Sequence, residues 1–300
     1  MKRYKYLDVA RGIGLLLVII SHSCGLSRYL IYYYIQLFFV VSGYIYKEGR
    51  SYQENVAKKA KRLLIPYFGY SAILLAFYAL TGRTFEETKA SALGILYSRC
   101  CLYDTTTHTD NVYLFTIANG AMWYLTAFFV TSLVYHLVID RCLKDKKFLV
   151  ICMIVLTGIT MLLADIPVLL PWSIDIACVG TIFMIVGTLL GRMKFFEKKW
   201  NLPLIAGTFV VYMVLCTINP GLNMSIREYG KYGAFSVPFF ILIGISGSML
   251  CIWFGKLIQN LKIGSLMAYI GQNTIILLAF HLLGLEVFEM IAQRFINVEG

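Results

Sequence analysis

Acidic residues are scarce in this chain: 16 Asp and Glu stand against 27 Lys and Arg among 300 residues. Charged residues of both signs make up only 14%, too little to clothe a water-soluble domain of this length. The eight cysteines contain no CxxC pair, which leaves the common zinc and redox motifs without support. There is no GxGxxG, Walker or GxSxG pattern, so dinucleotide, ATP and soluble-hydrolase readings have no anchor. No small-residue cleavage site follows the first apolar run, and SHSC around Cys24 lacks a lipoprotein pattern; the first segment is expected to be retained. Internal repeats, low-complexity tracts and soluble-domain linkers are also missing.

What remains is apolar. Hydrophobic residues reach 59% and the mean hydropathy is +0.73. Apolar runs at roughly 11–27, 30–46, 63–81, 122–139, 148–164, 174–191, 203–218, 235–255 and 269–288 approach the ~20 residues that span a bilayer core. The fold class read from this is all-α: a polytopic transmembrane helix bundle of about nine or ten spans in one membrane domain. The net charge of +11 would suggest nucleic acid in a soluble protein. Here the cations sit in short loops, where they set topology, and no nucleic-acid partner is expected.

Placing the N-terminus in the cytoplasm puts nineteen Lys and Arg in inside segments and seven outside, as the positive-inside rule requires. KEGRSYQENVAKKAKR (47–62) reads as an inside loop, and RCLKDKK (141–147) and RMKFFEKK (192–199) as two more. The outer excursion at 82–121 contains SALGILYSRCCLY, a short amphipathic or re-entrant piece. In it Cys100 and Cys101 are candidates for a disulfide, and His108 has no assigned role.

The first span is unusual. YLDVARGIGLLLVIISHS (6–23) carries Asp8, Arg11 and His22. Eleven residues at 1.5 Å each separate Arg11 from His22 by about 16 Å, close to three turns, so both project from nearly one face. Asp8 precedes Arg11 by three, a spacing that permits a pair. Ionisable groups at membrane depth are costly and point to function. The bland readings are an interfacial anchor for Arg11 and a helix-bridging hydrogen bond for His22.

This segment and four patches downstream of it resemble the acyltransferase-3 family of integral membrane O-acyltransferases. The resemblance rests on the Asp and Arg–ten residues–His pattern, on QLFFVVSGYIYK (36–47), KKAKRLLIPYF (58–68), GAMWYLTAFF (120–129) and IGQNTIILLAFH (270–281). Within the family, the branch of fucose 4-O-acetylase-like proteins is the nearest in pattern. Residues 130–265 match mainly in hydropathy. The family commonly has ten helices against the nine counted here. Either a last helix is missing from this chain or a span is miscounted near 82–121 or 165–175.

The resemblance implies a multi-pass protein of the plasma membrane that moves an acyl group, usually acetyl, from cytoplasmic acyl-CoA to a hydroxyl of an extracytoplasmic carbohydrate or cell-envelope glycan. His22 would be the general base; a neutral imidazole, with an unperturbed pKa of about 6.5, suits that role. Arg11 would hold CoA phosphates or carbonyl groups, with Asp8 orienting it. Lys59 and Arg62 stand where the family often has an Arg-x-x-Arg pair, and would bind the polyanionic donor. Their alternative is ordinary inside charge touching anionic lipid.

Trp123 and Tyr124 would shape the acceptor or acyl site, or belong to an interfacial aromatic belt. Asp175 would face the acceptor, or pair with an outside cation. Asn273 and His281, read as one ninth helix, would line the cavity, or hydrogen-bond between helices. Ser42 and Gly43 read as close-packing positions, and His136 is given no role. His22 and His281 lack a spaced third ligand, so no metal is expected. The oligomeric state is open, a homodimer included.

Two other classes compete. A secondary transporter could use Arg11, His22, Asp175 and His281 as a substrate or proton path, although paired repeats with broken helices are its usual mark. A membrane sensing domain could keep the scaffold without the chemistry.

Overall fold

The computed structural model describes residues 4–82, 84–99 and 120–296. Cys100, Cys101 and His108 lie outside the described residues, and so does the disulfide expected there. The chain forms a helix bundle. Its helices are α1 (Lys5–Ser23), α2 (Arg28–Ile31), α3 (Tyr34–Tyr44), α4 (Tyr52–Leu80), α5 (Phe85–Tyr97) and α6 (Trp123–Lys144). Then come α7 (Lys146–Ala164), α8 (Ala177–Arg192), α9 (Leu202–Ile218), α10 (Val237–Ile258), α11 (Lys262–Gln272) and α12 (Thr274–Ile296). A two-stranded antiparallel hairpin, β1 (Leu222–Asn223) and β2 (Glu228–Tyr229), pairs Leu222 with Tyr229 and Asn223 with Glu228.

Seven segments among the described residues are long and apolar enough to cross a membrane: α1, α4, α6, α7, α8 with its preceding turn, α10 with its preceding turn, and α12. The apolar α9 is shorter. Helix lies in each of the nine segments expected from hydropathy, but two of them are broken. Segment 30–46 divides at Tyr32 and Tyr33 into α2 and α3. Backbone groups freed in an apolar medium must find partners, and Tyr212 Oη supplies one by donating to the Tyr29 carbonyl at 2.9 Å; Tyr32 Oη in turn accepts from Gly221 N at 2.8 Å and ties the break to the connection after α9. Segment 269–288 divides at Asn273, whose Nδ2 donates to the Tyr269 carbonyl at 2.9 Å.

The expected basic loop 47–62 is another correction. Its second half is helical, because Ser51 and Glu54 form a capping box that starts α4 at Tyr52, pairing two otherwise orphaned backbone donors. Lys58, Lys59, Lys61 and Arg62 therefore project from a helix. Likewise Arg141–Lys144 extend α6, and Asp145 alone separates it from α7, accepting from Lys147 N and Phe148 N.

At the centre, α3 packs against α8 and α1 against α11 and α10. Small residues permit the approach. A Cβ on Gly43 would collide with the Met184 carbonyl and one on Gly187 with that of Val40; Gly12 and Gly271 meet the carbonyls of Met267 and Asp8 in the same way. Leu37, Phe39, Val40, Ile182, Phe183 and Ile243 fill the core at zero exposure. The peripheral helices present apolar side chains outward, Ile151 and Ile154 on α7 and Val210 and Val214 on α9 among them, as lipid contact demands.

Candidate active site

Helix α1 places Asp8 and Arg11 toward one end of the bundle and His22 toward the other. Arg11 Nη1 lies 3.4 Å from Asp8 Oδ1, with both side chains largely buried. Around this pair opens a cavity of about 280 Å³ whose wall carries Arg11, Lys47, Arg50, Lys58, Lys59 and Arg62. Among the described residues, Asp8 is the one carboxylate in that wall. Cations focused by low-dielectric walls attract anions strongly.

Lys59 is the most enclosed of the α4 cations. Its Nζ donates to Ser42 Oγ at 3.2 Å and lies 4.7 Å from the centre of the Phe128 ring. Ser42 thus serves the cavity, while its neighbour Gly43 serves packing. Tyr46, in the α3–α4 connection, also lines this cavity and donates to Asp140 Oδ1 at 2.9 Å. Burial first, and then that hydrogen bond, raise its phenol above the ordinary value, so it stays a neutral donor. His136 lines the same wall, and neither of its buried ring nitrogens has a partner among the described residues.

A second cavity of about 430 Å³ lies toward the His22 end of α1. Its wall is mostly apolar, with Leu15, Val18, Trp123 and Leu278, and His22 enters it; Asn223 and Ser225 reach it from the hairpin. Phe38, Tyr124, Leu125, Thr274 and Ile275 line both cavities and form a wall between them. Tyr124 is packed against Phe38, Phe39 and Phe128, with ring centres 5.4–5.8 Å apart. Its Oη is buried and has no hydrogen-bond partner among the described residues.

A cationic cavity and an imidazole-bearing cavity share one wall along a single membrane helix. A family model described as an acyltransferase domain matches residues 4–298, nearly the whole chain. The chain belongs to the acyltransferase-3 family. No curated protein and no solved structure matches it. An acyltransferase needs a donor and an acceptor, and this multi-pass membrane acyltransferase has two cavities in contact.

Three residues expected at the site line neither cavity of the acyltransferase. Asp175 is fully buried in an ion triad: it pairs with Arg99, and its Oδ2 lies 3.1 Å from Arg227 Nε and accepts from Leu170 N at 3.1 Å. Arg99 also donates to the carbonyls of Leu170 and Ser225, at 3.0 and 2.7 Å, while Arg227 donates to those of Leu163, Ile166 and Val168. Asp175 therefore fastens the segments at 163–170 and 223–229 together and holds the hairpin that carries Asn223 and Ser225. Asn273 spends its amide at the α11–α12 break, although Gln272 and Thr274 beside it line the cationic cavity.

His281 is buried on α12, where its helix neighbours Leu278 and Leu282 line the second cavity. Its ring centre lies 5.4 Å from that of His22, at 47°. The remaining expected residues, Asp8, Arg11, His22, Lys59, Arg62, Trp123 and Tyr124, all line one cavity or both. Among the described residues no group of three or more His, Cys, Asp or Glu is gathered as a metal site.

Proposed function

We propose that the chain is an O-acyltransferase of the plasma membrane, with its N-terminus in the cytoplasm. It takes an acyl group, acetyl first among candidates, from cytoplasmic acyl-CoA and passes it to a hydroxyl of an extracytoplasmic carbohydrate or cell-envelope glycan, as in the fucose 4-O-acetylase-like branch. The observation that carries this reading is the convergence of six cations on one cavity, opposed among the described residues by Asp8 alone, across a shared wall from the cavity that His22 enters.

In this scheme the CoA phosphates bind Arg62, Lys59 and the neighbouring cations. Arginine offers a bidentate fork to them and lysine a point charge. Arg11, steadied by Asp8, holds the donor deeper, so that the thin arm of CoA passes the wall at Tyr124. In the second cavity an unprotonated ring nitrogen of His22 takes the acceptor's hydroxyl proton as the oxygen attacks the thioester carbonyl carbon. The tetrahedral intermediate collapses with loss of the CoA thiolate, which takes the proton from the imidazolium. The products are an O-acyl ester and CoA thiol. Trp123 and Tyr124 shape the acceptor and acyl site; Asp175 and Asn273 act on it only through the segments they hold.

The test is mass spectrometry of surface glycans from cells carrying wild type, His22→Ala or Arg11→Ala at equal protein levels. Loss of one acyl mass increment in both variants is expected. Unchanged acylation in His22→Ala, or substrate uptake by proteoliposomes without acyl-CoA consumption, would overturn the reading.

A further inference from the structure

The buried imidazole beside His22 has a defined tautomer. His281 Nδ1 lies 2.9 Å from the Leu278 carbonyl oxygen. A carbonyl only accepts, so Nδ1 carries the proton. A neutral imidazole has one N–H, which leaves Nε2 as a bare lone pair. That nitrogen is buried and has no partner among the described residues, an arrangement that native interiors rarely leave without a purpose.

The ring beside it is that of His22. With 5.4 Å between ring centres, two imidazoles turned nitrogen to nitrogen are separated by about 3 Å, the length of a hydrogen bond. His22 occupies the last turn of α1 and opens on the second cavity, and a turn of its ring toward His281 on α12 brings the two nitrogens together.

We propose that His281 is a positioning residue for His22, its Nε2 accepting the N–H of the His22 ring and so leaving the other His22 nitrogen unprotonated toward the acceptor cavity. A base works only in the right tautomer, and in hydrolases a third group commonly sets it. Here that group is a neutral imidazole, itself locked by the α12 backbone. When His22 takes the acceptor proton, the same contact becomes a charge-assisted hydrogen bond. His281 does not line the cavity, so it acts through His22 and does not touch substrate. The proposal rests on the acyl-transfer reading for its purpose, but the tautomer does not depend on it.

The experiment has two arms. The chain has four histidines, so nitrogen-15 spectra of histidine-labelled wild-type protein in nanodiscs resolve each ring. A protonated Nδ1 and a hydrogen-bonded, unprotonated Nε2 on His281 are expected; a protonated Nε2 overturns the proposal. In acyl-transfer assays His281→Leu should lose at least about tenfold in kcat with KM for acyl-CoA and acceptor unchanged. His281→Gln, which returns an acceptor oxygen near the Nε2 position, should recover most of that loss. Equal defects in Leu and Gln, an unchanged kcat in Leu, or a raised acceptor KM at intact kcat each contradict it. If His281→Leu does not accumulate, the wild-type spectrum decides. Failure of wild type itself to transfer acyl groups would sink the acyl-transfer reading and leave the tautomer result standing.

Discussion

Arg11 and His22 share α1, eleven residues apart, yet they open on different cavities. Arg11 faces a cationic chamber and His22 an apolar one, and Tyr124 closes the distance between the two. A donor held at Arg11 and a base at His22 therefore work together only if the acyl group crosses the Tyr124 wall.

Arg11 should report on the donor. Arg11→Ala is expected to lower kcat/KM for acyl-CoA by about a hundredfold, with Arg11→Lys intermediate, because lysine keeps the charge but loses the fork. Steady-state kinetics on purified protein check this. Equal activity of the Lys variant and wild type would mean that charge alone matters.

Lys59 should act on binding with little effect on the chemical step. No carboxylate among the described residues pairs with it, and its ammonium is steadied by Ser42 and Phe128. Lys59→Met is expected to raise the KM for acyl-CoA about tenfold at near-constant kcat. Short acyl thioesters lacking the CoA phosphates should show no such difference between Lys59→Met and wild type.

Tyr124 should govern the wall. Its Oη has no partner among the described residues, so Tyr124→Phe relieves a buried polar group and should leave the unfolding temperature unchanged or higher. Tyr124→Ala removes the whole ring that stands between the cavities. It should release CoA from acyl-CoA without acceptor, as water reaches the thioester. The ratio of hydrolysis to transfer measures this.

Asp175 should matter for folding. Removing one member of a buried ion cluster strands the others, at about 3–5 kcal/mol. Asp175→Ala should lower protein yield and unfolding temperature sharply. Any rise in acceptor KM should accompany a loosened hairpin, visible as faster proteolysis near residues 222–229.

Hydropathy made nine helical segments readable because lipid-facing helices need apolar side chains along their whole length. The break at Tyr33 was not readable, since a tyrosine remote in sequence, Tyr212, supports it, and the break at Asn273 lies inside a segment that reads as one apolar run, where the Asn273 amide caps the Tyr269 carbonyl. The helical start of α4 did carry a local sign, the Ser51-x-x-Glu54 capping pattern, hidden under the stronger signal of the basic run. At the site, Arg11, His22 and the α4 cations stood out as charges in or beside apolar runs. The partners of Asp175 did not: Arg99 and Arg227 lie 76 residues before it and 52 after it, and no local pattern joins them. His281 stood out in sequence within the IGQNTIILLAFH patch, whereas His136 carried no assigned role. Packing puts His136 in the wall of Lys59's cavity and the His281 ring beside that of His22.

The most direct test of the central claim is transfer by purified protein in proteoliposomes, with radiolabelled acetyl-CoA supplied to the face bearing Arg62 and a glycan acceptor on the other face. Wild type is expected to move label onto the acceptor across the membrane, and His22→Ala to bind acetyl-CoA normally yet move none. Label transfer by His22→Ala at the wild-type rate would contradict the account.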